Sequence, residues 1–176
     1  MGQQRSNGFE GVTTDREGSQ VFVGFQREWA DDPAGLVRIG RYTPATQQWA
    51  FYHYPLDALE AAPDGAWVGL SEITWIGNDT LLVVERDNLQ RADAQVKRLY
   101  SVSVAGFTPA PPGSMPPALT KTLVRNLLAE DDYRLEKIEG AALRKSGELL
   151  VVNDNDGAGE TRLLRLHSVI SRHESQ

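Results

Sequence analysis

Residues 70–88 read LSEITWIGNDTLLVVERDN, and this stretch decides the fold. Residues 70–75 have the length and composition of a short strand, and Gly77-Asn78-Asp79 follows with residue types that favour a tight turn. Residues 81–84 are then all leucine or valine, which is typical of a strand that is covered on both faces. The stretch therefore predicts a β-hairpin whose second strand is buried.

Two further segments have the same layout, one at residues 9–25 and one at residues 138–156. Each contains a short strand, a polar turn with glycine and a second strand rich in apolar residues. A glutamate stands early in all three segments, at Glu10, Glu72 and Glu139, with intervals of 62 and 67 residues. An interval of that size is too long for one hairpin and indicates a repeated unit of four strands.

The sequence between and after the hairpins predicts the remaining strands. These strands are expected at residues 36–42, 48–54, 96–102, 121–125 and 162–166. Helix is expected only as short segments, if at all, at residues 57–62 and 123–131. Residues 106–117 hold five prolines and predict a loop within the domain.

Four-stranded units repeated at this spacing are typical of propeller blades. We therefore predict an all-β fold: a partial β-propeller of about three four-stranded antiparallel blades, approximately at residues 7–57, 68–128 and 136–170. Propellers close with four to eight blades, so residues 1–176 are expected to form the C-terminal part of one propeller domain, about half of a closed ring. A compact β-sandwich of the same ten or eleven strands stays open as the alternative, because the sheets need not be arranged radially.

An open ring leaves the outer faces of its first and last blades without a neighbouring blade. Such faces are apolar because each blade normally packs against the next, and exposed apolar faces favour association. We therefore expect self-association through the unpaired blade faces.

The composition excludes several classes of protein. The formal net charge of −6 argues against nucleic-acid binding, which needs a basic surface, and is compatible with a cation site. The chain has no cysteine, so disulfides, thiolate zinc sites and cysteine nucleophiles are excluded. No apolar run has the ~20 residues that a membrane helix needs, and the N-terminal residues do not resemble a signal peptide.

The three repeated glutamates are the first candidate site. In a radial arrangement, equivalent positions lie at equal depth around one axis, so Glu10, Glu72 and Glu139 would converge. Converged carboxylates repel each other unless a cation lies between them, and calcium prefers six to eight oxygen ligands. The alternative is structural: each glutamate caps a turn or pairs with an arginine of a neighbouring blade.

A second candidate site lies at the ends of the apolar strands, at residues 85–88 (ERDN) and 153–156 (NDND). Short Asn and Asp side chains after a strand usually form turns. Arg86 differs, because a guanidinium beside acidic residues could bind a phosphate or carboxylate with two hydrogen bonds. An EF-hand loop around Gly157 is excluded, because its first and twelfth positions would be Val152 and Leu163, which have no ligating side chain.

Several of these motifs together resemble the phytase-like (esterase-like activity of phytase) family. The similarity rests on residues 7–13 (NGFEGVT), 69–73 (GLSEI), 82–88 (LVVERDN), 97–100 (KRLY), 137–140 (KIEG) and 153–156 (NDND). The resemblance covers nearly the whole chain and corresponds to the C-terminal part of that domain. It implies a β-propeller that is exported to the periplasm or outside the cell in its full-length form.

The family is also similar, more remotely, to calcium-dependent β-propeller phytases, in which glutamates in Glu-Gly contexts hold calcium around the central channel. By this resemblance Glu10 and Glu139 are the best calcium ligands, and Glu72 is weaker because Ile73 replaces the glycine. The full set of candidate metal ligands is Glu10, Glu72, Glu139, Glu85, Asp154 and Asp156. The candidate catalytic residues are Arg86, Lys97 and Asp87.

Three functions stay open at this point. The first is calcium-dependent hydrolysis of phosphate or other small-molecule esters, in which Arg86 and Lys97 neutralise negative charge. The second is a non-catalytic, calcium-stabilised propeller that binds a ligand or a protein partner. The third is a truncated, inactive remnant.

Overall fold

The three predicted hairpins form the first two strands of three antiparallel sheets in the computed structural model, which describes residues 8–157 and 159–167. The first sheet consists of β1 (Phe9–Thr14), β2 (Val21–Phe25), β3 (Leu36–Thr43) and β4 (Gln48–Pro55). The second consists of β5 (Val68–Gly77), β6 (Thr80–Asp87), β7 (Lys97–Ser103) and β8 (Lys121–Asn126). The third consists of β9 (Lys137–Leu143), β10 (Leu149–Asp154) and β11 (Leu163–Leu166), in the order β11-β10-β9.

This architecture confirms the all-β prediction and is consistent with a partial propeller. The third sheet has three described strands, as expected from the sequence. The sheets occupy the ranges predicted for the blades, whose exact limits stay a prediction. Residue 7 of the first predicted blade and residues 168–170 of the third lie outside the described residues.

The first strands of successive sheets lie side by side. β5 contacts β1 on one side and β9 on the other, so the three inner strands come together although they are far apart in sequence. The middle sheet is therefore packed on both faces, whereas a β-sandwich has only two sheets facing each other. This arrangement is what brings the inner-strand side chains of all three sheets to one region.

The apolar run in β6 is explained by this double packing. Leu81 and Val83 belong to the hydrophobic core between the first and second sheets, while Leu82 and Val84 belong to the core between the second and third. Successive side chains of a strand point to opposite faces, so a strand covered on both sides needs apolar residues at every position. All four residues are at most 1% exposed.

The proline-rich segment covers the outer edge of the first sheet. Phe51 of β4 exchanges backbone hydrogen bonds with Ala110, and His53 bonds to Pro117 and Leu119 in the same way. Proline has no backbone N–H and so cannot continue a ladder of hydrogen bonds. A proline-rich segment can therefore pair with an edge strand without offering a new edge to another chain. The predicted loop therefore protects an edge that would otherwise invite pairing with another chain.

Helix is scarce, in agreement with the sequence. Residues 57–62 contain no helix, and the second predicted segment is a strand up to Asn126 followed by the single helix turn α1 (Leu127–Asp131). The Asn126 side chain accepts hydrogen bonds from the backbone N–H groups of Leu128 and Ala129 and so caps α1. Within the described ranges, no helix is long and apolar enough to cross a membrane.

Candidate functional site

Each inner strand contains a β-bulge at or next to its glutamate. In the third sheet Ile138 pairs with Asn153 and Gly140 with Val152, which leaves Glu139 as the extra residue. In the second sheet Leu70 pairs with Glu85 and Glu72 with Val84, which leaves Ser71 as the extra residue. A bulge places two residues opposite one and turns the extra side chain away from the regular ladder.

This register changes the alignment of the three repeats by one residue. Ser71 is the equivalent of Glu10 and Glu139, and Glu72 stands where the other two strands carry Gly11 and Gly140. The sequence pattern had matched the three glutamates directly with each other. The glutamates therefore meet from two different positions of the repeat.

Glu72 lies directly against Gly11 of the neighbouring strand β1. Its Oε1 atom accepts a hydrogen bond of 2.8 Å from the backbone N–H of Ile73. A Cβ atom on Gly11 would lie only 2.6 Å from that same Oε1, so the glycine is what leaves room for the carboxylate. Burial, together with repulsion from Glu10, raises the pKa of Glu72 to about 7.

Glu10 completes an acidic pair with Glu72. Gln26 donates a hydrogen bond of 3.1 Å from Nε2 to Glu10 Oε1. Burial and the charge of Glu139 raise the pKa of Glu10, while Arg86 and Lys137 act in the opposite direction. Glu139 thus acts on Glu10, and Glu10 acts on Glu72, although the three residues come from three sheets. The metal site expected from their convergence stays a prediction.

Arg86 joins this group from the end of β6. Its Nη2 atom is 2.9 Å from Glu139 Oε1, and its side chain is only 2% exposed. The guanidinium also lies over the ring of Trp67, at 5.1 Å from the centroid, and Arg27 lies over the same ring at 4.9 Å. The Nε and Nη1 atoms of Arg86 are buried and have no hydrogen-bond partner among the described residues. We call Glu10, Glu72, Glu139 and Arg86 the inner-strand cluster.

Glu85 lies outside this cluster, on the opposite face of β6. It is fully buried and accepts hydrogen bonds from the Tyr54 hydroxyl at 2.6 Å, the Lys121 ammonium at 2.7 Å and the Asp57 backbone N–H at 2.7 Å. Burial raises the pKa of Glu85, and Lys121 opposes that shift. Both carboxylate oxygens of Glu85 are therefore used in hydrogen bonds between the first and second sheets.

Asp57 extends the same buried network. It pairs with Lys121 at 2.7 Å and accepts hydrogen bonds from Arg98 and from the Tyr100 hydroxyl. Despite its burial, these donors together lower the pKa of Asp57. The network joins residue 57, just after the first sheet, to strands of the second. Glu85 therefore has a structural role in this network, which the sequence did not predict.

Asp87 and Lys97 form a completely buried ion pair, with Nζ 2.7 Å from Oδ1. Lys97 also donates to the backbone oxygens of Asp87, Leu89 and Glu136. An ammonium group has three N–H donors, so these four oxygens leave none for a substrate. Burial lowers the pKa of Lys97 to about 8, against the effect of Asp87. The catalytic role expected for this pair stays a prediction without geometric support.

Asp154 ends β10, and Asp156 lies in the turn that follows it. Asp154 accepts a hydrogen bond from the backbone N–H of Asp156, which is the usual bonding of an Asp at a turn. Asp156 pairs with Lys137 at 2.6 Å and is 60% exposed. The structure therefore gives both residues turn-forming partners and does not add them to the inner-strand cluster.

Within residues 8–157 and 159–167, no group of three or more acidic or histidine side chains stands ready to hold a metal ion. Glu10 and Glu72 are the two carboxylates of the cluster that form no ion pair with a described basic residue. The sequence interpretation missed Gln26 and Trp67, although Gln26 directly follows the apolar residues of β2, at the register position that Arg86 has in the second sheet. Aligning the apolar strands of the repeats would have found Gln26.

Comparison with known proteins identified one family. The family model for Phytase-like proteins, described as "Esterase-like activity of phytase", matches residues 1–157. No curated protein and no solved structure matches the chain significantly.

Proposed function

The chain belongs to the phytase-like family, and from this premise we propose that the inner-strand cluster binds calcium and hydrolyses phosphate or other esters. The observation that supports this most directly is the contact of the nearly buried Arg86 with Glu139, near enough to Glu10 for both charges to act on the pKa of that residue. Half-buried carboxylates whose pKa is raised by burial and by a neighbouring carboxylate, next to an arginine with donors to spare, are typical of a binding site, because such an arrangement costs folding stability.

Calcium suits the cluster through its donor chemistry. Two half-buried carboxylates without a basic partner can both be ionised only at a cost, and a divalent cation between them removes that cost. Glu10 and Glu72 would hold the ion. Glu139 is engaged by Arg86, so the remaining ligands would have to be water and substrate oxygens. A bound calcium would polarise the ester and acidify a bound water.

Arg86 would bind the anionic part of the substrate. Only one of its donors is engaged by Glu139, and a planar guanidinium is suited to two parallel hydrogen bonds to a phosphate or carboxylate. Trp67 holds the guanidinium from one side and keeps water away from it. Gln26 holds the Glu10 carboxylate in place. These residues orient the reacting groups and offset the acidic character of the site.

The first experiment measures thermal unfolding with calcium and with excess chelator. A ligand present at about 100 times its Kd stabilises the folded state by about 2.7 kcal/mol. We expect calcium to raise the Tm of the wild type, and Glu10→Gln or Glu72→Gln to abolish that rise. Glu17→Gln, at an exposed turn, serves as the matched control. An equal rise in all variants, or no rise in a cooperatively unfolding wild type, would contradict the calcium site.

The second experiment measures release of p-nitrophenol from phosphate and acyl esters with calcium present. We expect activity in the wild type and a loss of at least about tenfold in Arg86→Lys, which keeps the charge but not the planar fork. Calcium stabilisation without hydrolysis would instead support the non-catalytic, calcium-stabilised propeller. A chain that shows no cooperative unfolding would support the inactive remnant.

A further inference from the structure

The outer face of the first sheet exposes two apolar side chains that are buried at the equivalent positions of the second sheet. Phe9 and Val12 are 65% and 66% exposed. By strand register their equivalents are Leu70 and Ile73, which are 0% and 1% exposed. We call Phe9 and Val12 the head face. Leu70 and Ile73 differ from them in having a preceding sheet to pack against.

Leu70 and Ile73 are buried at the interface between the first two sheets, where they pack on β2. A Cβ atom on Gly24 of β2 would lie 2.5 Å from Leu70 and 3.3 Å from Ile73, so these side chains fill the space above that glycine. Phe22 of the same strand stacks on Trp75, with 5.6 Å between the ring centroids. The second hairpin strand of one sheet therefore receives the inner strand of the next.

The same contact is repeated between the second and third sheets. Leu82 and Val84 of β6, at 1% and 0% exposure, belong to the core that also buries Ile138 of β9. Each interface also contains one threonine that forms a hydrogen bond across it. Thr13 accepts from the Trp75 backbone, and its equivalent Thr74 donates to the Ala141 backbone. At both interfaces the second hairpin strand of one sheet thus packs on the inner strand of the next.

The outer face of the third sheet offers the receiving half of this contact. Leu150 and Val152 of β10 are the equivalents of Leu82 and Val84, and they are only partly buried. Leu163 pairs with Val152 on the same face of the sheet and is 58% exposed. We call Leu150, Val152 and Leu163 the tail face. Within the described residues, no sheet packs on the head face or on the tail face.

We propose that a second copy of the chain covers these faces, with the head face of each copy packed on the tail face of the other. The two faces carry the two halves of an interface that the chain already makes twice, so a second copy would continue the same packing. Two copies related by a two-fold axis would bring together six sheets, three from the described residues of each copy, a number within the range that closes a propeller. Both faces would then be buried with no change in the fold.

The test is the mass of the chain in solution over a range of concentrations, by sedimentation velocity. We expect a dimer for the wild type and weaker association for Val12→Asp in the head face and for Val152→Asp in the tail face. Each dissociation constant should rise by at least about tenfold, because a carboxylate is forced against apolar side chains. Leu123→Asp, at a 51% exposed position of β8, should leave the dimer intact.

Mixing the two variants gives a sharper result. The Val152→Asp chain keeps an intact head face, and the Val12→Asp chain keeps an intact tail face, so one good contact forms between them. We expect the mixture to associate more strongly than either variant alone, with thermal unfolding showing that both are folded. A wild type that is monomeric at all concentrations, a dimer insensitive to both variants, or open-ended larger species would overturn the proposal. So would a longer form of the protein in which another segment protects both faces from hydrogen exchange.

Discussion

Glu72 occupies a position where the other two inner strands carry glycine, and this single difference shapes the acidic site. Its carboxylate extends over Gly11 of the neighbouring strand, where any Cβ would collide with it. Gly11 also has a φ of +77°, a conformation that L side chains rarely adopt. The position of the Glu72 carboxylate therefore requires a glycine at residue 11 of the neighbouring strand.

Gly11→Ala should destabilise the fold by more than a glycine substitution in an open turn does. The backbone conformation alone costs about 1–2 kcal/mol, and the new Cβ would also lie 2.6 Å from the Ile73 backbone nitrogen, which cannot move aside easily. Gly18→Ala is the matched control, since its φ is +69° and a Cβ added there would meet nothing within 4 Å. Urea unfolding of both variants measures the difference, and equal losses would show that the contact with Glu72 and Ile73 is unimportant.

The raised pKa of Glu72 makes stability depend on pH in a defined direction. The pKa is about 7 in the folded protein, against about 4.3 in an unfolded chain. Between these values the folded state binds more protons, so the free energy of unfolding falls as pH rises. We expect this residue to contribute a fall of about 1 kcal/mol, less than the full shift implies because its side chain is partly exposed.

Urea unfolding without calcium at pH 4.5 and pH 7.5 checks this prediction. Glu72→Gln should flatten the pH dependence and be more stable than the wild type at the higher pH, because it removes the ionised carboxylate. Glu17→Gln should follow the wild type. A Glu72→Gln variant that keeps the full pH dependence would assign it to other groups, of which Glu10 is the first candidate.

At the scale of elements, the loop between β6 and β7 is organised by one aspartate. Asp87 accepts hydrogen bonds from the backbone N–H groups of Leu89, Gln95 and Val96, as well as the ion pair from Lys97. The carboxylate therefore binds both ends of the loop, and Lys97 connects it to the Glu136 backbone just before β9. The pair joins the second sheet to the start of the third.

Asp87→Ala should be strongly destabilising, by about 3–5 kcal/mol, because it leaves a buried ammonium without its partner. Lys97→Met should cost less, since three backbone N–H groups still stabilise the carboxylate. The double variant Asp87→Ala/Lys97→Met should lose less stability than the sum of its two single substitutions. Denaturant unfolding of this cycle measures the coupling. Additive losses of stability would show that Asp87 and Lys97 do not act as a structural pair. A variant that keeps the stability of the wild type but loses hydrolysis would support the catalytic role expected from the sequence.

At the scale of the whole molecule, the middle sheet differs from its neighbours by being packed on both faces. The core residues of β6 belong alternately to two hydrophobic clusters, whereas Leu166 of β11 belongs to only one and β1 contributes no residue to either. Amide groups in doubly covered strands open only in global unfolding, and those at singly covered edges open locally.

Native-state hydrogen exchange should therefore be slowest in β5 and β6 and faster in β1 and β11. In a dimer of the kind proposed above, protection of β1 and β10 should rise with protein concentration, while that of β6 should stay constant. Val12→Asp provides the comparison, because it should remove the concentration dependence only. Uniform protection across all three sheets would contradict this hierarchy.

The sequence by itself determined the class of the fold. Turn residues such as Gly77, Asn78 and Asp79 and the apolar run at 81–84 act locally, so hairpins and buried strands could be predicted from their neighbours in the chain. The repeat of these hairpins predicted three sheets, and the family resemblance agrees with the match over residues 1–157. The repeat also predicted that Glu10, Glu72 and Glu139 converge, but it matched them at one position, whereas Glu72 stands one residue further along the repeat than the other two.

Only the tertiary structure decided which side chains meet and how. The bulge that exchanges the roles of Ser71 and Glu72 depends on pairing with β6, and hydrogen bonding between strands is not visible in a single segment. Arg86 meets Glu139 across 53 residues, and Glu85 meets Tyr54 across 31, on opposite faces of one strand. Local sequence predicts that a strand exists, but the partners of its polar side chains come from other sheets, because burial forces each charge to find whichever opposite charge or donor the packing brings near.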